Sequence, residues 1–269
     1  MGRMKPMNTA EARFRALAPR RLELAAVLKL LPAGDLPRMA CLDIGAPDPV
    51  FSRELRARGG AWRTVARSPA HADDAEKFLG DPVGRLGADG SIPLPDHSFD
   101  AAVVALDILG AMPDPVAFAR ECNRVLKPSG LLVLSVQARR ALSLADAMRR
   151  RRFPGASDPY AAAFTEASVY NMLKNGFDVQ QLVTWSRMGV ELVRLREQRL
   201  LRSGAPESEV AARTGGLYRA AEAMDAPWFW ARGHVITLSA RRRRWSDRMA
   251  PVLSDGRTIC EAVLFNPPA

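Results

Sequence analysis

Hydrophobic positions change their period several times along the chain, and the changes mark out elements. From residue 10 to 31, Phe14, Leu17, Leu22, Ala25, Ala26, Leu28 and Leu31 recur at helical spacing, which predicts an amphipathic helix broken near Pro19. LPAGDLP then makes a turn. Short apolar runs and helical patterns alternate after it. MACLDIG reads as a buried strand, VFSRELRARGG as a helix stopped by glycines, AWRTVA as a strand and PAHADDAEKFLG as a helix with proline at its start. FDAAVVAL is a strand, DPVAFARECNRVL a helix and PSGLLVLSVQ a strand. Strands alternating with helices pair in parallel through right-handed crossovers, so the part of the chain up to Gln137 is predicted to be a doubly wound α/β sheet.

Beyond Gln137 the pattern changes. Ala141 to Arg152 reads as a basic helix and RFPGASDPY as a loop. FTEASVYNMLKNGF opens on a Thr-x-x-Ser cap and ends at Asn175-Gly176, which predicts a helix with a glycine stop. FDVQQLVTW and HVITLSA read as strands, and Met188 to Arg202 and Glu207 to Met224 as helices. The stretch from Trp245 onward has no period. The organisation that follows is an N-terminal helical segment over 1–36, an α/β domain over 37–245 and a tail over 246–269. The domain carries a lid over 139–164 and a helical insertion over 187–226.

Composition narrows the class. Apolar residues make up 48% and charged residues 25%, enough apolar side chain for a full core, so wholesale disorder is excluded. The longest apolar stretch, Ala101 to Met112, is interrupted by Asp107 and falls short of the ~18 residues of a membrane span. The N-terminus has no apolar signal region, and Cys41, Cys122 and Cys260 have neither disulfide-framework nor zinc spacing, so a cytoplasmic location is expected. Lys+Arg exceed Asp+Glu by 39 to 29, and the arginines cluster at 139–140, 149–152 and 241–244. These clusters read as solvated helix ends and a strand terminus, or as a peripheral contact with an anionic membrane; no dedicated nucleic-acid motif accompanies them.

Two segments carry a family resemblance. CLDIGAPDPVFS resembles the first motif of class I S-adenosylmethionine (SAM) dependent methyltransferases. DGSIPLPDHSFDAAVVALDILGAMPDPVAFARECNRVLKPSGLLVLSVQ is similar over its whole length to the type 11 methyltransferase domain, with its P-D-x-S-F-D strand entry, D-P helix start and R-V-L-K-P-x-G turn. FTEASVYNMLKNGF resembles the helix that follows in that family. The resemblance implies a Rossmann-like, mostly parallel seven-stranded sheet with an antiparallel last strand, and SAM lying across the carboxyl ends of its first strands. It implies methyl transfer to a small-molecule or lipid-linked acceptor, with Asp43, Gly45, Ala46, Asp89, Gly90 and Leu106 as cofactor-binding residues.

Methyl transfer needs placement above all, so cofactor grip comes first. The family pattern is acid-x-Gly-x-Gly-x-Gly. Asp43 and Gly45 match it, while Pro47 and Pro49 replace the second and third glycines, adding bulk and removing N–H donors. Asp48 adds charge where a carboxylate would dock. The acid that ends strand two in the family, an acceptor for the ribose hydroxyls, is Ala66 here, followed by Arg67. Asp89 matches the acid near the adenine, or is an Asp-Gly turn residue. Gly110 and Ala111 stand where many members place a histidine, which leaves that point without a general base. Asp107 either faces the methyl group and acceptor, as the candidate catalytic residue, or caps a turn. Tyr160 and Tyr170 are candidate acceptor contacts in or near the lid. His71 and His97 read as surface residues and His234 as structural. Trp228, Phe229 and Trp230 read as core packing, with an interfacial anchor as the other use. Because the departures fall on cofactor and base positions, the alternative to an enzyme is a non-catalytic methyltransferase-like binding or scaffold protein.

Overall fold

The computed structural model describes residues 9–45, 48–106, 108–140, 143–152, 163–228 and 230–246. Ala46, Pro47, Asp107, Tyr160, Phe229 and Cys260 lie outside the described residues. The interrupted N-terminal pattern forms two helices, α1 (Thr9–Ala16) and α2 (Ala18–Leu30). Pro19 sits in the first turn of α2, where an N–H has no partner within the helix anyway.

The alternating region follows as β1 (Ala40–Ile44), α3 (Pro49–Arg56), β2 (Ala61–Ala66), α4 (Pro69–Leu79), β3 (Val83–Arg85), β4 (Phe99–Val104), α5 (Pro115–Val125) and β5 (Leu126–Gln137). After it come α6 (Leu144–Arg152), α7 (Glu166–Leu173), β6 (Phe177–Trp185), α8 (Met188–Arg202), α9 (Glu207–Asp225) and β7 (Val235–Arg242). The sheet order is β3-β2-β1-β4-β5-β7-β6. Strands β1 to β5 pair in parallel, and β7 runs antiparallel to both β5 and β6. This is the seven-stranded sheet with an antiparallel last strand that the resemblance implied. The alternation pattern missed β3, which is only three residues long and too short to show a period.

Local chemistry sets the helix starts. α3, α4 and α5 each begin with a capping side chain followed by proline: Asp48 accepts from the Val50 N–H, Ser68 from His71, and Asp114 from Val116 and Ala117. Thr165 and Ser168 form a reciprocal capping box at α7. Apolar side chains then fill both faces of the sheet. Leu109, Phe118, Met172 and Phe177 pack on one side, and Val27, Phe51, Leu55 and Trp62 on the other.

The strongest sequence motif proves to be scaffold. Arg124 donates to the carbonyls of Ile92 (2.8 Å) and Leu94 (2.9 Å) and to Glu121, and so holds the loop before β4. Asp100 accepts from the Ala40 N–H at 2.9 Å and from Lys127 Nζ at 2.9 Å, tying β1, β4 and the start of β5 together. Two expectations need correction. Arg149 is only 4% exposed and pairs with Asp146, while Arg242 and Arg243 bond Asn123 and Asp178. Arg149 therefore departs from the solvated reading, while Arg139, Arg150, Arg151, Arg241 and Arg244 are exposed as expected. Trp228 and Trp230, expected in the core, are 57% and 66% exposed: they sit in the short turn between α9 and β7, where no described element covers them.

Candidate functional site

In a doubly wound sheet the carboxyl ends of the parallel strands leave a crevice where neighbouring crossovers diverge, here between β1 and β4. Gly45 leaves β1 with φ of 75° and donates its N–H to the Val65 carbonyl at 2.6 Å. A Cβ at Gly45 would lie 2.1 Å from Ile108 Cδ1. The bare face of this glycine is thus met by the loop after β4, and only glycine fits both the dihedral and the contact.

Asp43, near the end of β1, is completely buried. Its Oδ2 accepts from the Ser52 hydroxyl on α3 and, at 3.5 Å, from Thr64 on β2, while its Oδ1 is buried without a hydrogen-bond partner among the described residues. Desolvation pushes its carboxyl up to about 6, against the pull of Ser52, Arg56 and Thr64. Asp48 is 3% exposed. Besides capping α3 it faces Arg13 of α1 at 3.9 Å, and burial raises its pKa as well.

A third carboxylate comes from an element that the sequence pattern marked only as an amphipathic helix. Glu23 of α2 is 0% exposed; its Oε1 accepts from the Leu106 N–H just past β4 at 2.5 Å, and Arg20 lies 3.3 Å from its Oε2. No motif flagged it. The one available signal was a charged residue within the apolar stripe Leu22, Ala25, Ala26. α1 and α2 therefore bring Arg13, Arg20 and Glu23 to the crevice and are part of the site.

The remaining sequence candidates divide by position. Leu106 is buried beside Glu23. Asp89 is exposed, its Oδ1 accepts from the Ser91 N–H at 3.0 Å, and that bond holds its carboxyl below the usual range. Gly90 follows with φ of 89°, packed on Met112 and Phe118. Ala66 is 1% exposed and Arg67 is exposed, so β2 ends without an acceptor side chain. Tyr170 is 58% exposed and lines a groove of about 250 Å³ with Lys174, Phe177 and Arg243, at the amino end of β6 and away from Gly45.

A second polar cluster gathers where β5 and β6 end and β7 begins. Arg194 of α8 donates to Gln137 Oε1 at 2.7 Å, Gln137 Nε2 donates to the His234 carbonyl at 2.8 Å, and Ser186 donates to Glu191 at 2.8 Å. His234 is 3% exposed and bridges the Ser186 carbonyl and the Ser143 hydroxyl. With a carbonyl at Nδ1, that nitrogen carries the proton in the neutral ring and Nε2 accepts from Ser143. The cluster fixes α6 and α8 against the sheet edge. Between these helices lies a cavity of about 610 Å³ lined by Met148, Leu192, Leu195 and Leu200, with Arg196 and Arg199 also on its wall.

Residues 42–134 match the family of the methyltransferase domain, type 11. Among curated proteins none matches the chain by sequence. Solved structures share the fold at low identity. The N-methyltransferase NodS from Bradyrhizobium japonicum, in complex with S-adenosyl-L-homocysteine, is 15% identical with a TM-score of 0.53, over 88% of this chain and 100% of that one. An S-adenosylmethionine dependent methyltransferase from Mesorhizobium loti is 18% identical at 0.52, over 81% and 96%. The [4+2]-cyclase SpnF is 21% identical at 0.55, over 82% and 80%.

Proposed function

We propose that this chain, which carries a class I, type 11 methyltransferase domain, is a SAM-dependent methyltransferase that grips the cofactor mainly by its cationic end and methylates a small or lipid-linked acceptor. The observation that carries this reading is Asp43: a buried carboxylate beside the crevice, kept at a cost in stability, with one oxygen that no described residue satisfies. Unpaired buried acceptors of this kind are rare where they serve packing alone. The unsatisfied oxygen of Asp43 fits the ammonium of the methionyl group, a cation and a hydrogen-bond donor, while Glu23, already engaged by the Leu106 N–H and Arg20, holds the loop after β4. Bound there, SAM supplies an electrophilic methyl group. Asp43 would hold its charged end, Gly45 gives the loop its turn, and Glu23 fixes the Leu106 N–H at the start of the loop after β4. The ribose has no acceptor at Ala66, which should cost on the order of 1–3 kcal/mol of affinity. The acceptor's class is supported by the apolar cavity between α6 and α8, whose volume of about 610 Å³ suits a small amphipathic molecule and whose arginines suit an anionic group on it.

Isothermal titration with SAM tests the reading. Heat is expected in the micromolar to millimolar range, and Asp43→Asn should weaken binding at least tenfold. One observation favours a second reading, a non-catalytic scaffold: the Asp48 carboxylate already takes the Val50 N–H at 2.9 Å, where the family's methionine carboxylate would dock. No heat from the natural chain at millimolar SAM, with binding appearing in the triple variant Pro47→Gly, Pro49→Gly, Ala66→Asp, would establish the second reading and remove the first.

A further inference from the structure

One corner of the molecule exposes apolar surface that the fold leaves uncovered. Leu217, Ala220 and Met224 follow each other at three- and four-residue spacing on α9, and Trp228 continues the line into the turn beyond it; all four are exposed. Met224 is 62% exposed, and the rings of Trp228 and Trp230 stand 5.8 Å apart. The corner is tied to the start of α8. Asp225 accepts from the N–H groups of Gly189 (2.8 Å) and Val190 (2.9 Å), which sets the start of α8, with exposed Met188, beside the end of α9. The turn is closed by the Ala231 N–H on the Trp228 carbonyl and by Arg187 Nε on the Ala231 carbonyl.

Exposed arginines flank this patch. Arg219 lies on the same helix and Arg232, paired with Glu166, follows the turn. The nearby acids are engaged: Asp225 with the α8 amides, Glu222 with Arg21, and Glu166 with Arg140 and Arg232. Paired tryptophans with methionine and leucine, rimmed by arginine, suit the headgroup boundary of a bilayer, where an indole buries its ring and keeps its N–H wet. A second copy of the chain is less well matched. A tryptophan buries roughly 150–250 Å² when fully covered, so the exposed parts of this patch come to roughly 500 Å²; a stable dimer needs about 800 Å² per partner.

We propose that the corner formed by Met188, Leu217, Met224, Trp228 and Trp230 docks on an anionic phospholipid surface. It lies where β6 ends and β7 begins, on the carboxyl edge of the sheet that also holds Gly45, so docking would turn that edge toward the lipid. The basic run Arg241 to Arg244 lies at the other end of β7 and takes no part. Docking is independent of the methyl-transfer reading: a chain that binds no SAM would still dock.

The test is co-sedimentation of the full chain with vesicles of phosphatidylcholine alone and with 30% phosphatidylglycerol, alongside tryptophan emission with brominated phosphatidylcholine included. Binding to the anionic vesicles at 50 mM NaCl is expected, weakened at least tenfold at 500 mM, with blue-shifted and quenched emission. The double variant Trp228→Ser, Trp230→Ser should lose binding at least tenfold and lose the quenching, while Trp62, Trp185 and Trp245 report an intact fold. Arg219→Glu with Arg232→Glu should abolish the preference for phosphatidylglycerol. Absence of wild-type binding at 50 mM NaCl overturns the proposal. So does sedimentation equilibrium showing a dimer that the tryptophan variant dissociates, which would make a second copy the occupant.

Discussion

Asp43→Asn should stabilise the protein while it weakens cofactor binding, and the two signs together separate a functional carboxylate from a structural one. The Asp43 carboxyl is held at about 6 against an ordinary value of 3.8, and a gap of about two pH units corresponds to about 3 kcal/mol against the charged form at neutral pH. Asparagine removes that charge and keeps an oxygen for Ser52 and Thr64. It also places an amide N–H₂ where Oδ1 had no partner, a loss of about 1–2 kcal/mol. The net gain is therefore about 1–2 kcal/mol at pH 7.5, and at ~2–4 °C per kcal/mol for a chain of this size the midpoint rises by roughly 2–8 °C. The pH dependence follows from the direction of the shift. An acid whose folded pKa is raised is protonated more readily in the folded state, so the wild-type protein regains stability as pH falls from 6 toward 4, and the penalty is complete only above 6. Thermal melts followed by circular dichroism should show the advantage of the variant shrinking by roughly 1–2 kcal/mol between pH 7.5 and pH 5, since about half the penalty is gone at pH 5. A variant that melts below wild type at pH 7.5, or a gap that is the same at both pH values, would refute the reasoning.

Other perturbations probe the same crevice. Gly45→Ala should destabilise by roughly 2–4 kcal/mol, from the positive φ and the Ile108 contact together, and adding Ile108→Ala should recover part of that loss in chemical denaturation; no recovery would show that the dihedral alone sets the cost. Glu23→Ala leaves the buried Leu106 N–H unpaired and should cost about 1–3 kcal/mol, with hydrogen exchange rising at Leu106 and along α2. Asp48→Ser keeps a capping oxygen but removes the charge, so stability by urea titration should change by less than about 1 kcal/mol, while SAM affinity rises if the carboxylate is what obstructs docking. Arg124→Ala should cost about 2–4 kcal/mol by freeing the loop before β4, with no change in the SAM affinity of the fraction that remains folded.

The amino-acid pattern alone determined the alternating elements. The apolar runs of β1, β4 and β5 are long enough to be buried on both faces, the cap–proline pairs at Asp48, Ser68 and Asp114 set helix starts locally, and Thr165 with Ser168 does the same for α7. The type 11 motif was readable for the same reason. Asp100, Arg124 and Lys127 make scaffold contacts, so in this chain the motif reports the fold and says little about chemistry. β3 escaped because three residues carry no period. Only the tertiary structure decided what the crevice contains. Glu23 looked like any charged residue on a helix until packing set it against Leu106, 83 positions away, and Asp43 became a high-pKa acid with an unsatisfied oxygen only when α3 and β2 closed over it. Packing likewise buried Arg149 against Asp146 and left Trp228 and Trp230 outside the core. Hydrophobic period is written in neighbouring residues and is legible locally. Desolvation and charge pairing depend on which distant segments meet, and only the folded chain brings those together.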